Sequence, residues 1–134
     1  MANPYLHAVS SSRKWKGIPD DYLDIHLLMD SSKSAFPDNR HRALTHNTWF
    51  TQIIIPRVFG DFRTNSDGRI YFPKDVAEFH ILEDFRMKFI PSAQDYLEHM
   101  TYKAWMNNAM GRSVPGSLLN KGGIEYSITI DIKD

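Results

Sequence analysis

The most regular pattern of hydrophobic and polar positions lies near the C-terminus, over residues 124–132. Apolar or aromatic residues occupy every second position there, and polar or charged residues occupy the positions between them. A period of two predicts a β-strand, placed at 124–133, with one apolar face. That face comprises Ile124, Tyr126, Ile128, Ile130 and Ile132. Because a single strand leaves backbone groups unpaired on both edges, we expect it to pair within the chain or with another chain.

Helical spacing dominates the chain up to about residue 110, and five helix starts can be recognised. Each start places proline in or beside the first turn, where its missing N–H costs little. The starts are Asn3-Pro4, Pro19-Asp20-Asp21, Phe36-Pro37-Asp38, Pro73-Lys74-Asp75 and Pro91-Ser92. We expect Pro56 to bend or end the third helix before Gly60. The broad side of that helix expected to be buried comprises Ala43, Leu44, Trp49, Phe50, Ile53 and Ile54.

Two short β-prone pieces flank the turn Asn65-Ser66-Asp67-Gly68, where glycine suits a positive φ angle. They predict a β-hairpin near residues 61–72. The predicted fold class is therefore α+β: a mainly helical body of about five helices, with the hairpin and the C-terminal strand forming a small antiparallel sheet. We expect a single domain over 1–134, with the helical body at 1–110, a glycine-rich loop at 111–123 and the strand at 124–133.

Composition and charge narrow the classes of function. The chain has 134 residues, with 16 Lys and Arg against 16 Asp and Glu, and no cysteine. Zero net charge argues against a nucleic-acid partner, and the lack of cysteine excludes disulfides, thiolate metal sites and cysteine nucleophiles. The longest strongly apolar run, Ile53-Ile54-Ile55, is too short to span a membrane. We therefore expect a cytoplasmic protein that binds neither membrane nor nucleic acid.

Histidines and carboxylates offer the chemistry that remains. Two His/Asp pairs have members four residues apart, about one helical turn, so the members of each pair share a helix face. Imidazole and carboxylate ligands suit Zn, Mn or Fe. His41 and His46 are five residues apart and diverge by roughly 140° on a straight helix, so both serve one ion only if the helix is kinked. The candidate ligands are His26, Asp30, His41, His46, His80 and Asp84.

Two interpretations of these residues stay open. In one, a metal-bound water is the nucleophile for hydrolysis, and Arg40 and Arg42 hold a phosphate group through their guanidinium groups. In the other, the histidines are buried and hydrogen-bonded to nearby acids, and their role is to fix helix packing. For His7 and His99 we expect only such a structural role.

An interaction surface is a further possibility. Trp15 lies in the polar stretch 13–17, where a large aromatic ring is difficult to explain as core. It serves either as an anchor for a partner or as packing over a helix end. The terminal strand, through Ile124, Tyr126, Ile128 and Ile130, offers an edge for a host protein partner or for a homo-oligomer.

Several strings of residues, in order, resemble a family of small bacterial and phage proteins of unknown function. They are His7-Ala8-Val9-Ser10-Ser11, Asp21-Tyr22-Leu23-Asp24-Ile25-His26, Asp30-Ser31-Ser32-Lys33, Arg40-His41-Arg42-Ala43-Leu44, Phe59-Gly60, Asn65-Ser66-Asp67-Gly68-Arg69, and His80 with Glu83-Asp84 and Ile90-Pro91. The resemblance covers about residues 5 to 106 and implies no activity. The chain departs from the family at Asn47, where the family favours a second histidine, and over 85–89, where it favours a glycine.

The sequence supports two hypotheses of function from different classes. The preferred one is a small intracellular accessory or binding protein, such as a phage-encoded modulator of a host bacterial protein. The alternative is a metal-dependent hydrolase acting on a phosphate-containing small molecule or nucleotide. A weak likeness to helical phosphohydrolases of the His-Asp type favours the alternative, although His46-Asn47 stands where those proteins have adjacent His and Asp.

Overall fold

A computed structural model of the protein describes residues 3–113. Within this range the chain is mainly helical with a small antiparallel sheet, as predicted. It has seven α-helices where about five were expected, and the sheet described has two strands. The predicted strand over 124–133 and most of the predicted loop lie outside the described residues. The chain divides into two compact units, one up to His99 and one from Met100. None of the described helices is both long and apolar enough to cross a bilayer.

The first unit holds six of these helices and the sheet, and the second holds one short helix. The helices are α1 (Pro4–Trp15), α2 (Leu23–Asp30), α3 (Arg42–Thr45), α4 (Ile55–Phe59), α5 (Pro73–Asp84), α6 (Ala93–Leu97) and, in the second unit, α7 (Trp105–Asn108). Short 3₁₀ turns cover Pro19–Asp21, Ser31–Ser34 and Asn39–His41, and a π-helical turn covers Phe50–Ile54. The strands are β1 (Arg63–Thr64) and β2 (Ile70–Tyr71).

Helix α1 begins where the sequence predicts it. The side chain of Asn3 accepts a hydrogen bond from the Leu6 amide at 2.9 Å, and Pro4 occupies the first helical position. Helices α1, α2 and α5 contact one another and enclose the core. Its apolar part comprises Ala8, Tyr22, Ile25, Met29, Ile55, Tyr71, Val76, Ala77 and Ile81.

The third predicted helix is interrupted, and the expectation for its buried side is wrong at three positions. Leu44 and Trp49 are both 53% exposed, and Ile53 is 39% exposed. Ala43, Phe50 and Ile54 are half-buried. The side chains that are buried in this segment are instead polar: His41, Thr45, His46, Asn47 and Thr51.

Backbone geometry explains this reversal. The chain leaves the helical conformation at His46, where φ is −96° and ψ is 60°, so the helical phase before that point does not continue beyond it. The next turn is π-helical, with the Ile55 amide donating to the Phe50 carbonyl five residues earlier. This wider turn precedes Pro56, which has no N–H and whose ring would collide with a carbonyl in a regular α-helix. The helix ends at Phe59, before Gly60, as predicted.

The predicted hairpin is confirmed. Arg63 pairs with Tyr71 and Thr64 with Ile70, and Gly68 has a φ of 80° in the turn. The buried side chain of Asn65 organises this turn by accepting from the amides of Asp67 and Arg69, both at 2.9 Å.

The same Asn65 side chain ties the hairpin to the helical body. Its Nδ2 donates to the Trp15 carbonyl at 2.9 Å and to the Tyr22 hydroxyl at 3.1 Å.

We expect Asn65→Ala to lower the free energy of unfolding by about 2–4 kcal/mol, because buried backbone and hydroxyl groups lose their partner. Urea unfolding measures this. Thr64→Ala, in the same hairpin at an exposed position, is the control and should change stability by less than about 0.5 kcal/mol. An equal loss in both variants would contradict this role of Asn65.

Candidate metal centre

The interior between α1, α2 and α5 is unusually rich in histidine. Five of the six histidines are at most 2% exposed, and only His99 is on the surface. The five are His7, His26, His41, His46 and His80. Asp30 is 7% exposed and the side chain of Asp84 is 4% exposed, so carboxylates share this interior. Buried charges of this kind need partners or an ion.

Helix spacing positions most of these groups. His26 and Asp30 lie one turn apart on α2, and His80 and Asp84 lie one turn apart on α5. His46 arrives from the backbone break that follows α3. Thus three separate segments direct side chains into one place.

Four side chains form the tightest group, which we call the quartet: Asp30, His46, His80 and Asp84. One ligand atom from each lies within 4.8 Å of those of the other three. His46 Nε2 is 2.9 Å from Asp84 Oδ2, and His80 Nε2 is 3.2 Å from Asp30 Oδ1 and 3.4 Å from Asp84 Oδ2. Around a tetrahedral zinc ion with bonds of about 2.0–2.1 Å, neighbouring ligand atoms are about 3.3 Å apart. Three of the six separations in the quartet are therefore close to those of ligands sharing one ion, and all six are within 4.8 Å.

Ring orientation separates the quartet from a second histidine group. His7, His26 and His80 also have nitrogens within 4.8 Å of one another. However, the rings of His7 and His80 are stacked at 3.8 Å with only 27° between their planes. A metal lies in the plane of each imidazole that binds it, and two stacked planes do not meet at bonding distance. The rings of His46 and His80 cross at 77°, which lets both nitrogens point to one ion.

The hydrogen bonds of Thr45 determine which nitrogen of His46 carries a proton. The Thr45 hydroxyl donates its only proton to the Met29 carbonyl, at 2.7 Å, so it accepts in its other contacts. His46 Nδ1, at 2.9 Å from the Thr45 hydroxyl, is therefore protonated. Burial lowers the pKa of His46 to about 4, against the opposing hydrogen bond with Asp84. Neutral His46 consequently has an unprotonated Nε2.

This unprotonated nitrogen faces a carboxylate oxygen. Burial disfavours the ionised form of Asp84, but the surrounding histidines outweigh burial and hold the pKa of that carboxyl well below its usual range, and the His7 imidazolium lies beside it whichever tautomer His46 adopts. His46 Nε2 and Asp84 Oδ2 are thus two acceptors only 2.9 Å apart. Two lone pairs at this distance repel each other unless a cation lies against both.

His7 supplies positive charge beside the quartet. Its Nδ1 is 2.8 Å from Glu83 Oε1, and its Nε2 is 3.4 Å from Asp84 Oδ1. Burial opposes protonation, but the nearby Asp84 carboxylate and the hydrogen bond to Glu83 outweigh it and raise the pKa of His7 to about 9. Ser10 also donates to the Glu83 carboxylate. His7 is therefore an imidazolium that partly balances the carboxylates.

His7 is buried and hydrogen-bonded to an acid, as expected, and it lies within this polar cluster. One signal in the sequence was its spacing from Ser10 and Ser11, three and four residues on, which puts three polar side chains on one face of α1. His99 is exposed, so the expectation that it is buried and fixes helix packing is wrong.

His41 lies beside the quartet but is not part of it. Its ring meets that of His46 edge-on, with centroids 5.4 Å apart, and its Nδ1 is 2.7 Å from the Ser32 hydroxyl. Burial lowers the pKa of His41. Among the described residues, His41 Nε2 and Asp30 Oδ2 are buried without a hydrogen-bond partner, although Asp30 Oδ2 lies 3.7 Å from Lys33 Nζ. Buried polar atoms of this kind mark positions where water or an ion completes a site.

The remaining candidate residues are not members of the quartet or lie outside the described range. Arg40 is held on the surface by Asp38, with Nη2 and Oδ2 2.8 Å apart. Arg42 lies over the ring of Phe85, at 5.3 Å from its centroid. Trp15 packs edge-on against Phe79 and, with it, lines an open cavity of about 290 Å³. Ile124, Tyr126, Ile128 and Ile130 lie outside the described residues.

Comparison with known proteins gives a family but no characterised relative. A family model for a domain of unknown function matches residues 2–106, a range that includes the whole quartet. No curated protein and no solved structure matches the chain.

Proposed function

From the premise that the chain belongs to the family described as "Domain of unknown function (DUF6915)", we propose that it binds one divalent transition-metal ion at Asp30, His46, His80 and Asp84. The ion joins α2, the segment after α3 and α5, and it stabilises the fold of an accessory or binding protein. We expect the bound ion to be zinc, with Mn and Fe as alternatives.

The contact between His46 and Asp84 carries this proposal. Thr45 leaves His46 Nε2 without a proton, and Asp84 is a carboxylate, so their 2.9 Å separation brings two acceptors together. A divalent cation bound to both turns this repulsive contact into two attractive ones. Two neutral imidazoles and two carboxylates would also balance the charge of such an ion.

The donor set narrows the choice of ion. Two imidazole nitrogens and two carboxylate oxygens suit Zn, Mn and Fe, whereas Mg and Ca prefer oxygen ligands alone. Three of the ligand separations, at 2.9–3.4 Å, are close to those of tetrahedral coordination, which zinc favours in structural sites.

Burial favours a closed metal site over a catalytic one. The four side chains are between 0% and 6% exposed, whereas a hydrolytic metal keeps a position open to water and substrate. Residues 30 and 84 are far apart in sequence, so an ion that joins them restrains the folded chain. The hydrolase with Arg40 and Arg42 as phosphate ligands stays a prediction, as do a host protein partner, a cytoplasmic location, a phage or bacterial source and pairing of the terminal strand.

The test is a metal titration of protein freed of metal with a chelator. We expect one equivalent of Zn²⁺ to bind, and a zinc concentration of about 1,000 times Kd to add about 4 kcal/mol to the stability of the folded state. For a chain of this length, this raises Tm by roughly 15 °C. Equilibrium dialysis with elemental analysis gives the stoichiometry, and calorimetry gives Tm.

The control for this titration is His99→Ala, which removes an exposed histidine outside the cluster and should leave both results unchanged. Substoichiometric binding of Zn²⁺, Mn²⁺ and Fe²⁺ with no change in Tm would overturn the proposal.

A further inference from the structure

A continuous row of buried groups extends from the quartet to helix α1. His80 Nδ1 is 2.8 Å from His26 Nδ1, and His26 Nε2 is 2.7 Å from the Ser11 hydroxyl. Ser11, His26 and His80 are all fully buried. At its other end the row continues from His80 Nε2 to Asp30 Oδ1. None of the sequence predictions gave Ser11 a role, and they placed His26 among the metal ligands.

Two arrangements of protons satisfy the contacts that join Ser11, His26 and His80, and they differ at His80 Nε2, which carries a proton for Asp30 only in the first. In the first, Ser11 donates to His26, His26 Nδ1 donates to His80 Nδ1, and His80 Nε2–H donates to Asp30. In the second, the two contacts of His26 are reversed: His80 Nδ1–H donates to His26 Nδ1, and His26 Nε2–H donates to Ser11. The contact between the two Nδ1 atoms holds one proton, so the tautomers of the two rings are linked.

Only the second arrangement leaves a lone pair on His80 Nε2, the atom that faces Asp30 and Asp84. We infer that His26 is a positioning residue, which makes His80 a metal ligand by accepting its Nδ1–H. This inference rests on the metal site proposed above and deepens it. His26 is thereby moved from the ligand set to the layer of groups behind it.

The chemistry of metal sites agrees with this assignment. A ligating histidine usually donates its other N–H to an acceptor, which orients the ring and makes the bound nitrogen a better ligand. Thr45 plays this part for His46, because its hydroxyl accepts from Nδ1. For His80 the acceptor is the imidazole of His26, which Ser11 in turn holds in place. Both imidazole ligands of the quartet are then supported in the same way.

Substitution of His26 tests the inference. His26→Phe keeps a planar ring but removes the acceptor, and we expect the affinity for Zn²⁺ to fall about 10- to 100-fold. His26→Asn can place its amide oxygen near the position of Nδ1, and should recover most of the affinity. His99→Phe is the control, since it makes the same change at an exposed histidine. Titration calorimetry with Zn²⁺ alone gives the affinities.

A spectroscopic readout separates this role from simple packing. In zinc-loaded wild-type protein, ¹⁵N NMR should show His80 protonated at Nδ1 and scalar coupling across the N–H···N hydrogen bond to His26. Because it uses wild-type protein, this NMR measurement tests the role of His26 even if His26→Phe does not fold. Two results would overturn this inference alone. One is zinc-loaded wild-type protein with His80 protonated at Nε2, and the other is folded His26→Phe with the same affinity for Zn²⁺ as the wild type. A wild type that binds no metal would overturn the proposed function as well.

Discussion

Replacing Asp84 by asparagine is expected to remove tight zinc binding. Asp84 is the quartet member that contacts both histidine ligands, with Oδ2 2.9 Å from His46 Nε2 and 3.4 Å from His80 Nε2. A neutral amide oxygen is a much weaker ligand than a carboxylate, and the site loses one of its two negative charges. We expect Kd for Zn²⁺ to rise roughly a thousandfold, which corresponds to about 4 kcal/mol. Titration calorimetry on wild type and variant measures this ratio.

A second expected result concerns the folding of Asp84→Asn without metal. The introduced amide can donate a proton to His46 Nε2, which replaces the contact between two acceptors by a hydrogen bond. We therefore expect the variant to fold, although His7 loses one of its two carboxylate partners.

The matched control for Asp84→Asn is Glu83→Gln, at the adjacent position. Glu83 contacts His7 and Ser10 but no member of the quartet, so the zinc affinity should change by less than about tenfold. Zinc affinity near the wild-type value in Asp84→Asn, with the variant folded, would show that the metal does not bind at the quartet.

Acidification is the second large expected effect. We expect the metal-free protein to lose about 4 kcal/mol of unfolding free energy between pH 7 and pH 5. Burial lowers the pKa of His26 to about 2 and that of His46 to about 4, whereas both have ordinary pKa values near 6.5 once the chain unfolds. Below pH 6.5 the unfolded chain therefore binds about two more protons than the folded one, and acid favours unfolding.

The other ionisable groups of the cluster do not reverse this decrease of unfolding free energy in acid. His7 has its pKa raised to about 9, so its contribution to stability is fully present below pH 6.5 and disappears only as the pH rises through 9. The pKa values of Asp30 and Asp84 are lowered, so their contributions disappear only below about pH 4. Between pH 7 and pH 5, the expected change in unfolding free energy therefore comes from the histidines that are buried in neutral form.

Urea unfolding at pH 7, 6 and 5 with a chelator present measures how the unfolding free energy changes with pH. His46→Gln is the informative variant, because it removes one of the two groups and should reduce the loss by about half. His99→Ala should keep the full loss. Unfolding free energy that is constant or rises between pH 7 and pH 5 would contradict neutral burial of His26 and His46.

Local features of this protein were determined by its sequence. Asn3 and Pro4 set the start of α1, and the turn at 65–68 set the hairpin, because each depends on hydrogen bonds and φ angles within a few residues. The spacing of four residues placed His26 with Asp30 and His80 with Asp84, because helix geometry alone puts such pairs on one face.

Tertiary structure decided which of these faces met and which ligands belonged together. The segment from His41 to Thr51 buries polar side chains and exposes Leu44 and Trp49 because a backbone break at His46 and a π-helical turn before Pro56 change its helical phase. The packing of α1 against α2 and α5 brought His7 into the cluster. A sequence pattern encodes periodicity over one or two turns, whereas the meeting of residues 30, 46, 80 and 84 depends on how helices pack.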